Sequence, residues 1–185
     1  MRIQNLLLPL LLSAPLAAQV LEPSQLGAQL RISIPEAGFR DALGGMRIPG
    51  YGASLLAEFD FGDSLHGRGA IGMDRWPEGK GSLASEDREI QAFHLSAEGV
   101  YFLRDDGALQ AKGPYVMAGL GAYAWSLGKD VTGLGQTRRT VHMAGTLGLG
   151  WRLPGHLDAE VKALAGVVDP GLSALVFMGC VTYRF

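Results

Sequence analysis

The residues in this 185-residue chain whose types and spacing suggest a reaction are His94-Leu95-Ser96, with Glu98 two positions further on. A histidine that takes the proton of a serine, itself oriented by a carboxylate, is the machinery of acyl transfer. At alternate positions of a strand the three side chains would share one face. A pattern this short also arises by chance, and its other reading is membership of an interior hydrogen-bond network. His66, His94 and His142 all fall on polar faces, and three imidazoles can hold zinc. They sit in separate segments without local ligand spacing, however, so hydrogen bonding is their expected role. Gly119-Leu120-Gly121-Ala122-Tyr123-Ala124 imitates a dinucleotide fingerprint, but that motif needs a helix next, and here a strand pattern continues. The single cysteine, Cys180, excludes an intrachain disulfide and a cysteine-rich zinc site, and reads as a small packing residue. No cofactor and no metal are expected.

The elements that carry these residues alternate. Hydrophobic residues make up 48% and charged residues 18%, too balanced for a disordered tail and too polar for a helical membrane bundle. Many of the 27 glycines fall inside apolar runs, which argues against long helices. A net charge of −2 gives no basic stripe for nucleic acid. Eight runs have the two-residue period of strands. In the first, Leu26, Ala28, Leu30, Ile32 and Ile34 oppose Gly27, Gln29, Arg31 and Ser33, with Pro35 as the expected stop. The second starts at Tyr51 and the third places Leu65 to Met73 against His66, Arg68 and Asp74. The fourth sets Phe93, Leu95, Ala97 and Tyr101 against His94, Ser96 and Glu98. The fifth, Tyr115 to Ser126, is apolar on both faces; Tyr115, Met117, Gly119, Gly121, Tyr123 and Trp125 are taken as its outer face. The sixth runs from Thr140 to Arg152 and the seventh from Leu157 to Ala165. Long polar or glycine-rich stretches follow strands one, three and five, including Glu36–Ile48 and the segment from Arg75 with Trp76. Strands two and six end in short turns, as does strand seven, while the stretch after strand four is longer.

In the eighth run Leu175, Phe177, Gly179, Val181, Tyr183 and Phe185 oppose Val176, Met178, Cys180, Thr182 and Arg184. Ending on Phe185, with Tyr183 on the same face, this strand resembles the closing strand of bacterial outer-membrane β-barrels. In that family the terminal aromatic is an assembly signal, which implies recognition of Tyr183 and Phe185 by the barrel-assembly machinery. The family often has glycine where Cys180 stands.

Lipid belongs on the apolar face. That face has essentially no charge at mid-strand and gathers aromatics near strand ends: Phe59, Phe61, Tyr101, Tyr115, Tyr123, Trp125, Trp151, Tyr183 and Phe185. The opposite face carries Arg31, Arg68, Arg152, Lys162 and Arg184 with Glu58, Asp60, Asp74, Glu98, Asp158 and Glu160. Five cations against six anions can fill and neutralise a narrow interior, similar to the plugged lumen of OmpA-, OmpX- and OmpW-like proteins.

At the N-terminus Arg2, an apolar run from Leu6 to Leu12 broken by Pro9, and Ser13-Ala14-Pro15-Leu16-Ala17-Ala18 describe a signal peptide. Cleavage after Ala18 removes Arg2 and changes the charge from −2 to −3. The expectation is therefore residues 1–18 as signal peptide and 19–185 as an all-β, eight-stranded antiparallel up-and-down transmembrane barrel. It would be a monomer of the cell outer membrane, surrounded by lipid and lipopolysaccharide, with no nucleic acid partner. Its role would be structural, or surface contact through external loops. Two alternatives stay open. His94-x-Ser96 is similar to the motif of outer-membrane lipid A deacylases, although that family's carboxylate lies further along its chain and this phase turns both residues inward. A secreted soluble barrel holding an apolar ligand would need the opposite face inside.

Overall fold

The computed structural model describes residues 23–45, 49–62, 64–77, 89–103, 113–132 and 136–185. The expected signal peptide and its cleavage point lie outside them, as does the Asp105-Asp106-Gly107 turn. The strands are β1 (Gln25–Glu36), β2 (Gly50–Asp60), β3 (Leu65–Trp76), β4 (Ile90–Phe102), β5 (Gly113–Leu127), β6 (Arg138–Arg152), β7 (Leu157–Asp169) and β8 (Leu172–Arg184). Each pairs antiparallel with the next, and β8 returns to β1, so the sheet is a closed barrel. Phe185 N–H still donates to the Leu26 carbonyl at 3.0 Å, extending the seam to the last residue. Closure pairs every strand with two neighbours, as a lipid environment demands, although the β6–β7 ladder begins only at Ala144 and Gly166, beyond the first residues of β6.

The strands tilt, and the register shows it. One hydrogen-bonded row runs Leu30, Ala53, Met73, Phe93, Ala124, Val141. It starts in the middle of β1 and arrives near the beginning of β6, climbing steadily towards the end of the barrel that carries the long loops. The opposite end holds the start of β1, the end of β8 and the short turns after β2 and β6.

The faces sort as alternation predicts. Outward residues such as Leu30, Leu147 and Val141 are exposed by 69%, 68% and 70%, whereas inward Arg68, Arg152 and Asp158 are exposed by 3%, 3% and 1%. An apolar exterior around a charged interior is the arrangement of a membrane-spanning barrel, and the reverse of a soluble barrel with an apolar ligand inside. The chain therefore folds as an eight-stranded up-and-down transmembrane β-barrel.

Several expectations are corrected. The phase of β5 is reversed: Tyr115, Met117, Tyr123 and Trp125 are buried inside, and Ala118, Leu120, Ala122 and Ala124 face out. With both faces apolar, what decides is the partners within: Tyr115 finds a carboxylate and Tyr123 and Trp125 find other rings. The outer aromatics accordingly reduce to Phe61, Tyr101, Trp151, Tyr183 and Phe185, with Tyr51, Phe93 and Phe177 added and Phe59 half-buried. Trp76 is not a loop residue but the inward end of β3, 1% exposed. Asp60 is exposed at the β2–β3 turn, where its carboxylate accepts from Gly62 N–H at 2.9 Å. Pro35 does not stop β1, which continues to Glu36 and leads into a short helix, α1 (Ala37–Ala42). A second short helix, α2 (Lys129–Thr132), follows β5. The Asp169-Pro170-Gly171 connection is a tight hairpin, with Gly171 at φ 86° where a side chain would be strained.

Candidate functional site

The lumen holds all the residues singled out for chemistry, and its charges form three neutral groups. Towards the loop end Arg31 Nε bonds Asp74 Oδ1 at 2.9 Å, while its Nη1 donates to Ser54 Oγ at 2.7 Å. At mid-depth Arg68 bonds Glu98 at 3.0 Å and Glu160 at 2.5 Å, and Lys162 reaches the same two carboxylates at 3.0 and 3.1 Å. Tyr115 O–H also donates to Glu160, at 2.7 Å. Near the terminus end Arg152 grips Glu58 with both Nη atoms, at 2.8 and 2.6 Å. Asp158 sits between Arg152 and Arg184 at 3.3 and 3.2 Å. Gln29 joins the groups: its amide donates to Glu160 and Thr182, both at 2.9 Å, and its carbonyl accepts from Arg31 at 3.3 Å. Without Asp60 the interior count becomes five cations to five anions, not five to six. Bringing each ion out of water costs several kcal/mol, so a lumen of this density is tolerable only when every charge is matched locally.

Glycine makes the room. Gly52 stands opposite Asp74, Gly72 opposite His94, Gly119 opposite Glu98 and Gly148 opposite Lys162. A Cβ on Gly119 would meet Glu98 Cγ at 2.6 Å, and one on Gly148 would meet Lys162 Cγ at 3.0 Å. These inward glycines thus relieve crowding beside interior side chains, whereas a Cβ on outward Gly99, Gly145 or Gly179 would meet nothing nearer than 3.8 Å.

Above the charges the lumen turns apolar. Trp76 stacks on Trp125 with ring centroids 5.8 Å apart, Trp125 on Tyr123 at 5.6 Å, and Tyr123 on His94 at 5.1 Å. Phe39 of α1 lies edge-on against both tryptophans, at 5.3 and 6.0 Å, and is fully buried, as is nearly all of Leu43. The α1 segment is therefore a stopper in the loop-end mouth. The sequence carried a faint signal of it, Phe39 and Leu43 spaced for one helical face within a polar loop.

The proposed acyl-transfer trio lies inside, on β4, but is not assembled as one unit. Glu98 is engaged by Arg68 and Lys162; the carboxylate beside His94 is Asp74, whose Oδ2 lies 3.3 Å from Nδ1. Ser96 is buried, two positions along the strand from His94. His66 sits at the other end of the lumen, 3.1 Å from Glu58, and His142 is half-buried on β6. Among the described residues no three His, Cys, Asp or Glu side chains come together as a metal cage. Cys180 is buried beside the ion network. A cavity at the terminus end, between Gln25, Glu58, Arg68 and Arg184, holds about 10 Å³, roughly one water and no conduit.

The fold and its interior define a small eight-stranded barrel of the outer-membrane type. No protein-family profile matches the chain, and no curated protein matches it in sequence. Its architecture is similar to that of Ail, the attachment invasion locus protein of Yersinia pestis. The crystal structure of Ail is 16% identical and superposes with a TM-score of 0.52, covering 87% of this chain and 97% of that one. Ail in a phospholipid bilayer nanodisc gives 15% identity, a TM-score of 0.52, and 89% and 100% coverage. Ail in complex with the heparin analogue sucrose octasulfate gives 14%, 0.52, and 87% and 97%.

Proposed function

We propose that this protein is a non-enzymatic, monomeric barrel of the bacterial outer membrane. In this reading it anchors in lipid and presents its long loops at the cell surface. The observation that carries the reading is the lumen: charge-balanced, filled by side chains and stoppered by Phe39, it supports a rigid stake rather than a pore. Export by residues 1–18 and insertion through Tyr183 and Phe185 belong to the same reading. Ail's complex with the heparin analogue sucrose octasulfate is a precedent for a barrel of this architecture that takes a sulfated sugar.

The test is refolding of the mature chain in detergent, followed by gel mobility with and without boiling and by conductance in a planar bilayer. A boiling-dependent shift without stepwise conductance is expected. Open-channel steps, or a soluble chain that needs no detergent, would sink the proposal.

The proximity of Asp74 to His94 favours a second reading, lipid A deacylation by His94 and Ser96. Its readout is the mass of lipid A from cells making the protein or its Ser96→Ala variant. Loss of one acyl chain that depends on Ser96 would establish it, and unchanged lipid A would remove it.

A further inference from the structure

The two rims of the apolar belt differ. At the terminus end the outward aromatics are Phe61, Tyr101, Trp151, Tyr183 and Phe185, a girdle that suits any bilayer interface. At the loop end Tyr51 of β2 is outward too, but β3 to β6 continue its row, in register, with polar residues: Arg75, Gln91, Ser126 and Arg139. Directly beneath it runs the row Met73, Phe93, Ala124, Val141. Because β5 contributes only Ala124 and Ser126 between larger neighbours, the wall is hollowed there. A trough of about 430 Å³ results, apolar at Met73, Phe93 and Val141 and polar where it opens at Gln91, Ser126 and Arg139. A polar cleft of about 210 Å³ continues past it, lined by Arg75, Glu89 and Thr137.

The cations of this rim are not equivalent. Arg75 is held by Glu89 at 2.6 Å, and Gln91 donates to the same carboxylate at 2.5 Å. Arg138 pairs with Asp169 at 3.0 Å. Arg139 is exposed and has no carboxylate partner among the described residues. Among the described residues it is a guanidinium without a carboxylate above a chain-sized apolar trough, and guanidinium suits phosphate by charge and by its planar donor fork. Arg75 and Arg139 are three strand spacings apart, about 14 Å at ~4.8 Å each. The climb of the rows sets Arg139 the higher of the two, further from the membrane centre.

We propose that this wall binds a phosphorylated glycolipid: an acyl chain lies in the trough over Ala124, and a head-group phosphate is held by Arg139 with Ser126 and Gln91. Arg75, already neutralised by Glu89, stands outside this phosphate site. The proposal rests on the membrane reading above.

The test uses the full mature barrel, refolded in detergent micelles, and native mass spectrometry of three probes. These are bis-phosphorylated lipid A, the dephosphorylated lipid with the same acyl chains, and phosphatidylglycerol. Preference for the bis-phosphorylated lipid over its dephosphorylated form by about tenfold is expected, the worth of one charge-assisted phosphate contact. Arg139→Ala should abolish most of that preference, and Ala124→Leu, which fills the trough, should weaken binding of both glycolipids. Equal binding with and without phosphate, undiminished preference in Arg139→Ala, or phosphatidylglycerol bound as tightly as lipid A would overturn the assignment. The boiling-dependent gel shift on the same samples separates the two failures. A folded barrel without lipid preference refutes this site alone, and a chain with no shift refutes both readings. The wild-type preference needs no variant to fold.

Discussion

Replacing Arg68 by methionine isolates the logic of the lumen. The side chain is 3% exposed and is one of two cations shared by Glu98 and Glu160. Methionine of similar length leaves Lys162 alone between two buried carboxylates. Removing one partner of a buried ion pair costs about 3–5 kcal/mol, because the remaining charge is stranded. The variant Arg68→Met/Glu98→Gln restores the balance: Lys162 faces Glu160, and the new amide can still accept from Lys162. That double variant should recover more than half of the loss, giving a coupling of at least ~1.5 kcal/mol where independent sites agree within about 0.5. The assay is urea unfolding of the barrel in lipid vesicles, followed by tryptophan fluorescence, for wild type, both single variants and the double. A loss below ~1 kcal/mol for Arg68→Met, or a double variant equal to the sum of its singles, would refute local charge matching as the organising rule.

Other perturbations probe the remaining parts. Phe39→Ala should free Trp76 and Trp125, with red-shifted emission and easier acrylamide quenching, yet leave the bilayer conductance at zero because the ion network still fills the lumen; channel steps would contradict this. Leu147→Arg, at mid-belt, should cost about 2–4 kcal/mol in vesicle unfolding, while Leu157→Arg near the rim should cost about 0–1 kcal/mol. Equal costs would mean that the belt is misplaced. Gly150→Val should displace the Tyr115 ring that lies against Gly150 and break its bond to Glu160. Loss of about 1–3 kcal/mol is expected from the overpacking alone, and wild-type stability would show that the ring has room.

Alternation made most of the barrel readable because seven strands set unlike residues on their two faces, as Arg31, Gln29 and Ser33 do against Leu30 and Ile32. β5 has no such contrast. Its orientation is settled by tertiary partners, Glu160 for Tyr115 and His94 for Tyr123, which no local pattern contains. Trp76 was hidden for a related reason, since Asp74-Arg75 before it and Pro77 after it look like the start of a loop, and only Phe39 and Trp125 explain its inward turn. The interior charges were visible as a set, but their grouping was not. Arg152 and Glu58 are 94 positions apart, and nothing near either residue names the other. Asp60 carried the right charge on the right parity and still fell outside, because the strand ends there and a turn claims its carboxylate. His94, Ser96 and Glu98 share a face as spacing requires, but the partners of that face come from β3, β5, β6 and β7.

The seam between the first and last strands also governs how the chain can fold. Gln29 bonds Thr182 across 153 positions, and the same amide holds Glu160. Until β8 arrives, that node lacks a partner and β1 and β7 are both open edges. Contacts of such sequence separation make folding slow, since a long loop must close before any reward is collected. The sheet therefore stays able to pair with another chain until its last strand is in place, so β8 decides when that hazard ends.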